Sequence, residues 1–206
     1  MASVATTVTK FMYLIMEALF YPTIIILLFM FFYSIIELIS FLVEMIYGRV
    51  RLTRKDVEKL AKQFPKIKEE RIPMVYFLEF IDRLKEIVKK TKDPEEAGLL
   101  VEKELENLEN YLAGKVSRSR IVVRLGPMFG LMGTLIPLGP GLEQLAKGNM
   151  AGLATALITA FATTVVGLVS AGMCYVVTLY RTRWYRKDVS DLEFLSELVI
   201  RRELGG

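Results

Sequence analysis

The sequence contains no histidine and a single cysteine, Cys174. Without imidazole it lacks the commonest metal ligand and the usual general base. One cysteine cannot form an intrachain disulfide, and its place in an apolar run reads as a small buried thiol. No cysteine cluster or carboxylate pair at metal-ligand spacing takes their place, so no catalytic residue, metal site or cofactor is expected. Charge is also missing over two long stretches, between Arg124 and Glu143 and from Gly148 to Tyr180. Each is close to or beyond the roughly 20 apolar residues that cross a hydrocarbon core.

What fills those stretches is unusual for sequence that faces lipid. The first carries Gly126, Gly130, Gly133, Gly139 and Gly141 with Pro127, Pro137 and Pro140; the second is built from alanine, glycine and threonine. Small side chains let backbones approach closely, which is how helices associate in a membrane, so the two stretches read as a hairpin whose packing residues include Gly126, Gly130, Gly133 and Gly167.

The chain is 53% hydrophobic yet 24% charged, so its charge is segregated. Apart from Lys10 and Lys147, every Lys and Arg lies between Arg49 and Arg124 or beyond Tyr180. The positive-inside rule then puts the N-terminus outside and both basic regions in the cytoplasm, next to the inner or cytoplasmic membrane of the cell. A net charge of +4 invites a nucleic-acid reading. Acidic residues are interleaved throughout the basic regions, however, which is the pattern of a solvated helical surface beside anionic lipid; no nucleic-acid partner is expected.

In chain order, residues 1–10 form a polar, external N-terminal arm without the basic start and cleavage site of a removable signal peptide. Residues 11–47 form the first transmembrane helix. Its uncharged centre, Ala18 to Ile36, spans about 19 residues rich in Ile, Leu and Phe all round, which suits a helix facing lipid. Glu17 sits near its outer end. Glu37 and Glu44 sit near its inner end, where pairing with Arg49 or Arg51 is expected.

Residues 48–124 form a cytoplasmic helical region. Thr53 and Asp56 make a capping-box start to a helix ending before Pro65. Pro73 opens a second helix, with Val75, Leu78, Ile81 or Asp82, and Leu84 to Val88 as its apolar stripe. Asp93 and Pro94 then read as N-cap and first helical position, with Glu96 as capping partner. Behind them Val101, Leu105, Leu108 and Leu112 repeat at alternating spacings of four and three, a packing seam that continues towards Val116 and Val123. Only Gly114, costing about 1 kcal/mol, interrupts it, so this helix is expected to run into the membrane.

Residues 125–147 supply the second transmembrane helix and an external loop, 148–180 the third transmembrane helix, and 181–206 a cytoplasmic C-terminal helix. Trp184 and Tyr185 read as interface anchors, and Val189, Leu192, Leu195 and Val199 keep one apolar face. A single helix from about Ala151 to about Glu203 is expected, roughly 75–80 Å long at 1.5 Å per residue.

GPMFGLMGT, from Gly126, lacks the lysine of a phosphate-binding loop, and the hairpin holds neither the paired acids nor the nucleophile and base of an intramembrane protease. An enzyme is therefore not expected. The polar groups that remain inside the hairpin are hydroxyls. Thr155, Thr159, Thr163 and Ser170 fall within about 80° of one another on the third transmembrane helix. Each can simply bond the preceding turn's carbonyls; four on one face also suit the lining of a wet pathway.

The hairpin resembles the signature of the MotA/TolQ/ExbB proton-channel family: a Gly-Pro helix start followed by GLMGT, a short loop, and an Ala and Thr rich helix containing TTVVGLVSAG. The three spans and large cytoplasmic insertion resemble the ExbB/TolQ branch. The resemblance places Thr134 and Thr164 on the family's pore threonines. Where the ExbB branch commonly carries a glutamate five residues before the second threonine, this sequence has Thr159.

The resemblance implies an all-α integral membrane protein with three transmembrane helices per subunit and long cytoplasmic helical extensions. It also implies a homo-pentamer around a single-span partner of the ExbD/TolR/MotB kind that bears an ion-carrying aspartate. The function implied is that of an ion channel subunit, for protons in the first place, in a motor that converts an ion gradient into movement of the partner. Thr134 and Thr164 by the resemblance, and Thr159 and Thr163 by the hydroxyl face read above, would line the ion pathway. The residues themselves leave open H⁺ or Na⁺, and a non-transporting oligomeric scaffold in the bilayer as the alternative.

Overall fold

A computed structural model describes residues 2–47, 53–65 and 74–205. Among the described residues six helices follow in order, α1 Ala2–Ala18, α2 Phe20–Tyr47, α3 Arg54–Gln63, α4 Val75–Lys90, α5 Pro94–Ala146 and α6 Met150–Glu203, and there is no strand. Three stretches among the described residues are long and apolar enough to cross a membrane: Lys10–Ile46, Pro94–Ala146 and Met150–Glu203.

The stretch set apart as an arm is helical from Ala2, and the first long helix breaks at Leu19. Pro22 is the cause. It has no N–H for the carbonyl of Ala18, and its ring crowds that carbonyl. Backbone bonds from Leu19 to Ile15 (3.0 Å) and from Thr23 to Leu19 (3.1 Å) bridge the break, and the Thr23 hydroxyl donates to the Leu19 carbonyl at 2.7 Å.

The chain divides into two compact units, one of Met1–Ile39 with Arg118–Val177 and one of Ser40–Ser117 with Thr178–Gly206. In the second, α3 and α4 pack on the parts of α5 and α6 that belong to it. Its core joins Val57, Leu60, Phe77, Ile81, Leu84, Val101, Leu192, Leu195 and Val199, all buried. The seam continues to Leu112 and Val116, which pack with Tyr185. Val75 departs from the expected stripe: it is 77% exposed, while Phe77 and Phe80 are buried. The inward face of α4 is therefore turned relative to the stripe read from its aliphatic residues, because the two aromatic rings offer more area to bury.

Local start signals act as their chemistry dictates. Thr53 and Asp56 form a reciprocal capping box at α3, and the Asp93 carboxylate accepts from the Glu95 N–H at 3.1 Å at the start of α5. Helix α4 begins after Met74, which gives no side-chain cap; Pro73, expected to open it, lies outside the described residues.

In the first unit Met30, Val122 and Cys174 bury a small cluster, with Tyr33, Leu125 and Phe129 packed around it. Helix α5 continues through Pro127, Pro137 and Pro140. Each proline withholds an N–H from the carbonyl four residues before it, those of Val123, Gly133 and Ile136.

The link between α5 and α6 is a tight reversal. Gly148 adopts φ 76°, a left-handed conformation that glycine takes without a Cβ penalty at a helix end. The Asn149 N–H returns to the Gln144 carbonyl at 2.9 Å, while the Asn149 side chain accepts from the Gly152 N–H at 3.0 Å and caps α6.

Candidate functional site

The hairpin of α5 and α6 is held by close backbone approach. A Cβ on Gly126 would lie 2.7 Å from the Gly167 carbonyl oxygen, and one on Gly167 would lie 2.5 Å from the Gly126 oxygen and 2.9 Å from the Gly130 Cα. At Gly133 a Cβ would meet the Thr163 side chain at 2.6 Å. Gly126, Gly130 and Gly133 recur at four and three residues, and Thr163, Gly167 and Ala171 at four, so each set forms one face of its helix. Where apolar surroundings give no hydrophobic drive, this contact of small residues holds the pair together.

Hydroxyls surround that contact. Thr164 donates to the Ala160 carbonyl at 3.3 Å and, across the hairpin, lies 3.4 Å from the Gly130 carbonyl oxygen. Thr163 bonds the carbonyls of Thr159 (3.1 Å) and Ala160 (2.8 Å), and Thr134 that of Leu131 (2.6 Å). Further towards Met150, Thr155 and Thr159 donate to Ala151 and Thr155, both at 3.1 Å. Ser170 is fully buried and bonds Val166 at 2.7 Å.

The hydroxyl protons are thus directed to the backbone, which leaves the oxygen lone pairs as acceptors. Thr163 and Thr164 meet the glycine face of α5; Thr155 and Thr159 lie beyond it. The four residues Thr134, Thr159, Thr163 and Thr164 do not converge on one point within the single chain.

Each unit also holds charged side chains with polar partners. In the first unit Ser119, buried, donates to Glu37 at 2.7 Å. In the second unit Arg181 donates to Glu44 at 2.9 Å and to the Ser40 hydroxyl at 3.2 Å. Glu44 thus pairs with Arg181; the expected partners Arg49 and Arg51 lie outside the described residues. Also in the second unit, Tyr76 donates to the buried Asp188 at 2.6 Å. At the hairpin turn Lys147 and Glu143 form an ion pair at 2.6 Å, and this hydrogen bond holds the ammonium above the usual lysine range. Among the described residues no group of three His, Cys, Asp or Glu is placed to hold a metal ion.

Helices able to span a bilayer, with a hairpin locked by glycine contacts and hydroxyls as the polar groups at that lock, are those of a multi-pass helical membrane protein. The family model of the MotA/TolQ/ExbB proton channel family matches residues 71–193, and the chain belongs to that family. The family is one of proton channels in membrane motors rather than a class of enzymes. No curated protein matches the chain.

Proposed function

We propose that the chain is the ion-conducting subunit of an energy-converting membrane motor, assembled as a homo-pentamer around a single-span partner of the ExbD/TolR/MotB kind. The observation that carries this reading is chemical. Between Leu125 and Leu142 and between Gly148 and Tyr180 the glycine-locked hairpin presents hydroxyl oxygens and no acid, so it can pass an ion along but needs a carboxylate from elsewhere to load it. The partner's aspartate fills that role. Ion flow down its gradient would alternately load and release this aspartate and drive the partner's movement.

In the assembly the third transmembrane helices stand innermost, with Thr159 towards the axis. Thr163 and Thr164 lie at the contact with α5, with Thr134 close behind, and a partner carboxylate docks beside them. The N-terminus is outside and the extensions of α5 and α6 are in the cytoplasm, at the inner membrane.

The test is reconstitution in liposomes with and without a single-span protein encoded beside this one and bearing an early aspartate. Ion flux is expected with the partner and not without it. A ring that assembles with the partner but passes no ion would instead make the protein a scaffold.

A further inference from the structure

The first unit contains a cavity of about 320 Å³ that the hydroxyl arrangement alone does not explain. Glu17 and Phe20 from the first two helices, Pro137 and Gln144 from α5, and Thr155 and Thr159 from α6 contribute to its wall. Among the described residues Glu17 supplies its only carboxylate, beside the Tyr21 phenol; the rest of the lining is uncharged. Ile136 also lines it, and Pro140 withholds from the Ile136 carbonyl the N–H of its regular helical bond. Interrupted backbone of this kind is tolerated in membranes where it borders a cavity, and such carbonyls serve as cation ligands.

Carboxylate, amide and hydroxyl oxygens thus share one cavity between membrane helices. An ionisable group in such a place marks an ion path. Glu17 also lies outside the segment matched by the family model, which begins at residue 71.

We propose that this cavity is a loading site for a monovalent cation, with Glu17 as the group that takes the ion and Thr155, Thr159 and Gln144 as neutral oxygen ligands around it. A proton is taken directly on the Glu17 carboxylate; Na⁺ is held by the same carboxylate with the neutral oxygens replacing part of its water. The assignment rests on the channel reading above and gives the subunit an ion-binding carboxylate of its own, on the first transmembrane segment rather than on the hairpin. Ions reach the hairpin threonines through it.

The test uses the full chain in liposomes and dicyclohexylcarbodiimide, an apolar reagent that modifies carboxyl groups within the membrane. Labelling is read residue by residue by mass spectrometry, with the exposed Glu102 as internal reference. Glu17 is exposed in the single chain as Glu102 is, but it lies beside the cavity within a stretch able to span the membrane, so it is expected to label about tenfold faster than Glu102 on its aqueous surface. Protection of Glu17 by NaCl but not by choline chloride identifies Na⁺ as the ion; labelling indifferent to NaCl identifies the proton. Labelling of Glu17 no faster than Glu102 overturns the site.

A second arm compares partner-dependent flux of the wild type and Glu17→Gln, both checked for the same oligomer mass. A loss of about tenfold or more in the variant supports the site, and undiminished flux overturns it. If the wild type itself carries no flux, the channel reading fails, while the labelling arm still decides whether Glu17 lines an ion site.

Discussion

Gly167 faces Gly126 across the hairpin at a separation that admits no side chain: a Cβ added to either would stand within 2.7 Å of the other's carbonyl oxygen. Backbone, not side chain, is the contact surface here, and the rotation of α6 against α5 follows from it. That rotation in turn sets Thr163 against Gly133 and carries the Thr164 hydroxyl to the Gly130 carbonyl.

Gly126→Ala and Gly167→Ala should therefore force the two helices apart, destabilising the protein by about 1–3 kcal/mol as overpacking does. Gly98 and Gly114 have no atom within 4 Å of an added Cβ, and alanine there should stabilise α5 by about 0.5–1 kcal/mol. Thermal unfolding in mild detergent measures both. Equal shifts at all four positions would show that helix propensity, not close approach, governs the hairpin glycines.

The Arg181 side chain is 8% exposed and that of its partner Glu44 25% exposed. Arg181→Met removes this partner from Glu44 and should cost about 2–4 kcal/mol, less than a fully buried pair because solvent reaches the carboxylate. Adding Glu44→Leu should recover most of the loss. A double variant as unstable as the single one would mean that Arg181 acts through its other contacts.

Gly172 is exposed within the third apolar stretch and meets nothing within 4 Å. In a pentamer with α6 innermost such a glycine lets neighbouring copies approach. Gly172→Leu should not destabilise the single chain, since helix propensity there favours a side chain, and should lower the mass seen by native mass spectrometry from that of a closed ring towards smaller species. An intact ring in the variant would place Gly172 against lipid.

Local and periodic signals were legible in the sequence. The capping box at Thr53 and the start of α5 at Pro94 depend on residues within one turn, and the seam from Val101 to Val116 repeats often enough to fix the buried face of α5. The short helix α4 offered two competing faces, and Phe77 and Phe80 decided between them where the aliphatic pattern had favoured Val75. Pairs distant in the chain were beyond reach. Glu44 with Arg181, Tyr76 with Asp188 and Glu37 with Ser119 depend on which helix faces lie together. The same holds for the candidate site: composition marks the hairpin glycines and threonines, but which threonine meets which glycine depends on the register and rotation of two helices, which no local pattern encodes. The Glu17 cavity arises from packing between separate helices, and its one sequence signal is the pair Pro137 and Pro140.

The account turns on hydroxyl oxygens at the glycine-locked hairpin carrying the ion. Thr134→Val and Thr164→Val each delete one hydroxyl at nearly constant volume. The decisive measurement is partner-dependent ion flux into liposomes for the wild type and these two variants, with the oligomer mass of each verified. The account predicts intact assemblies in which flux falls by about 1–2 orders of magnitude, as loss of one coordinating oxygen in a narrow apolar passage would produce. Wild-type flux in both variants would contradict it and make these threonines packing residues.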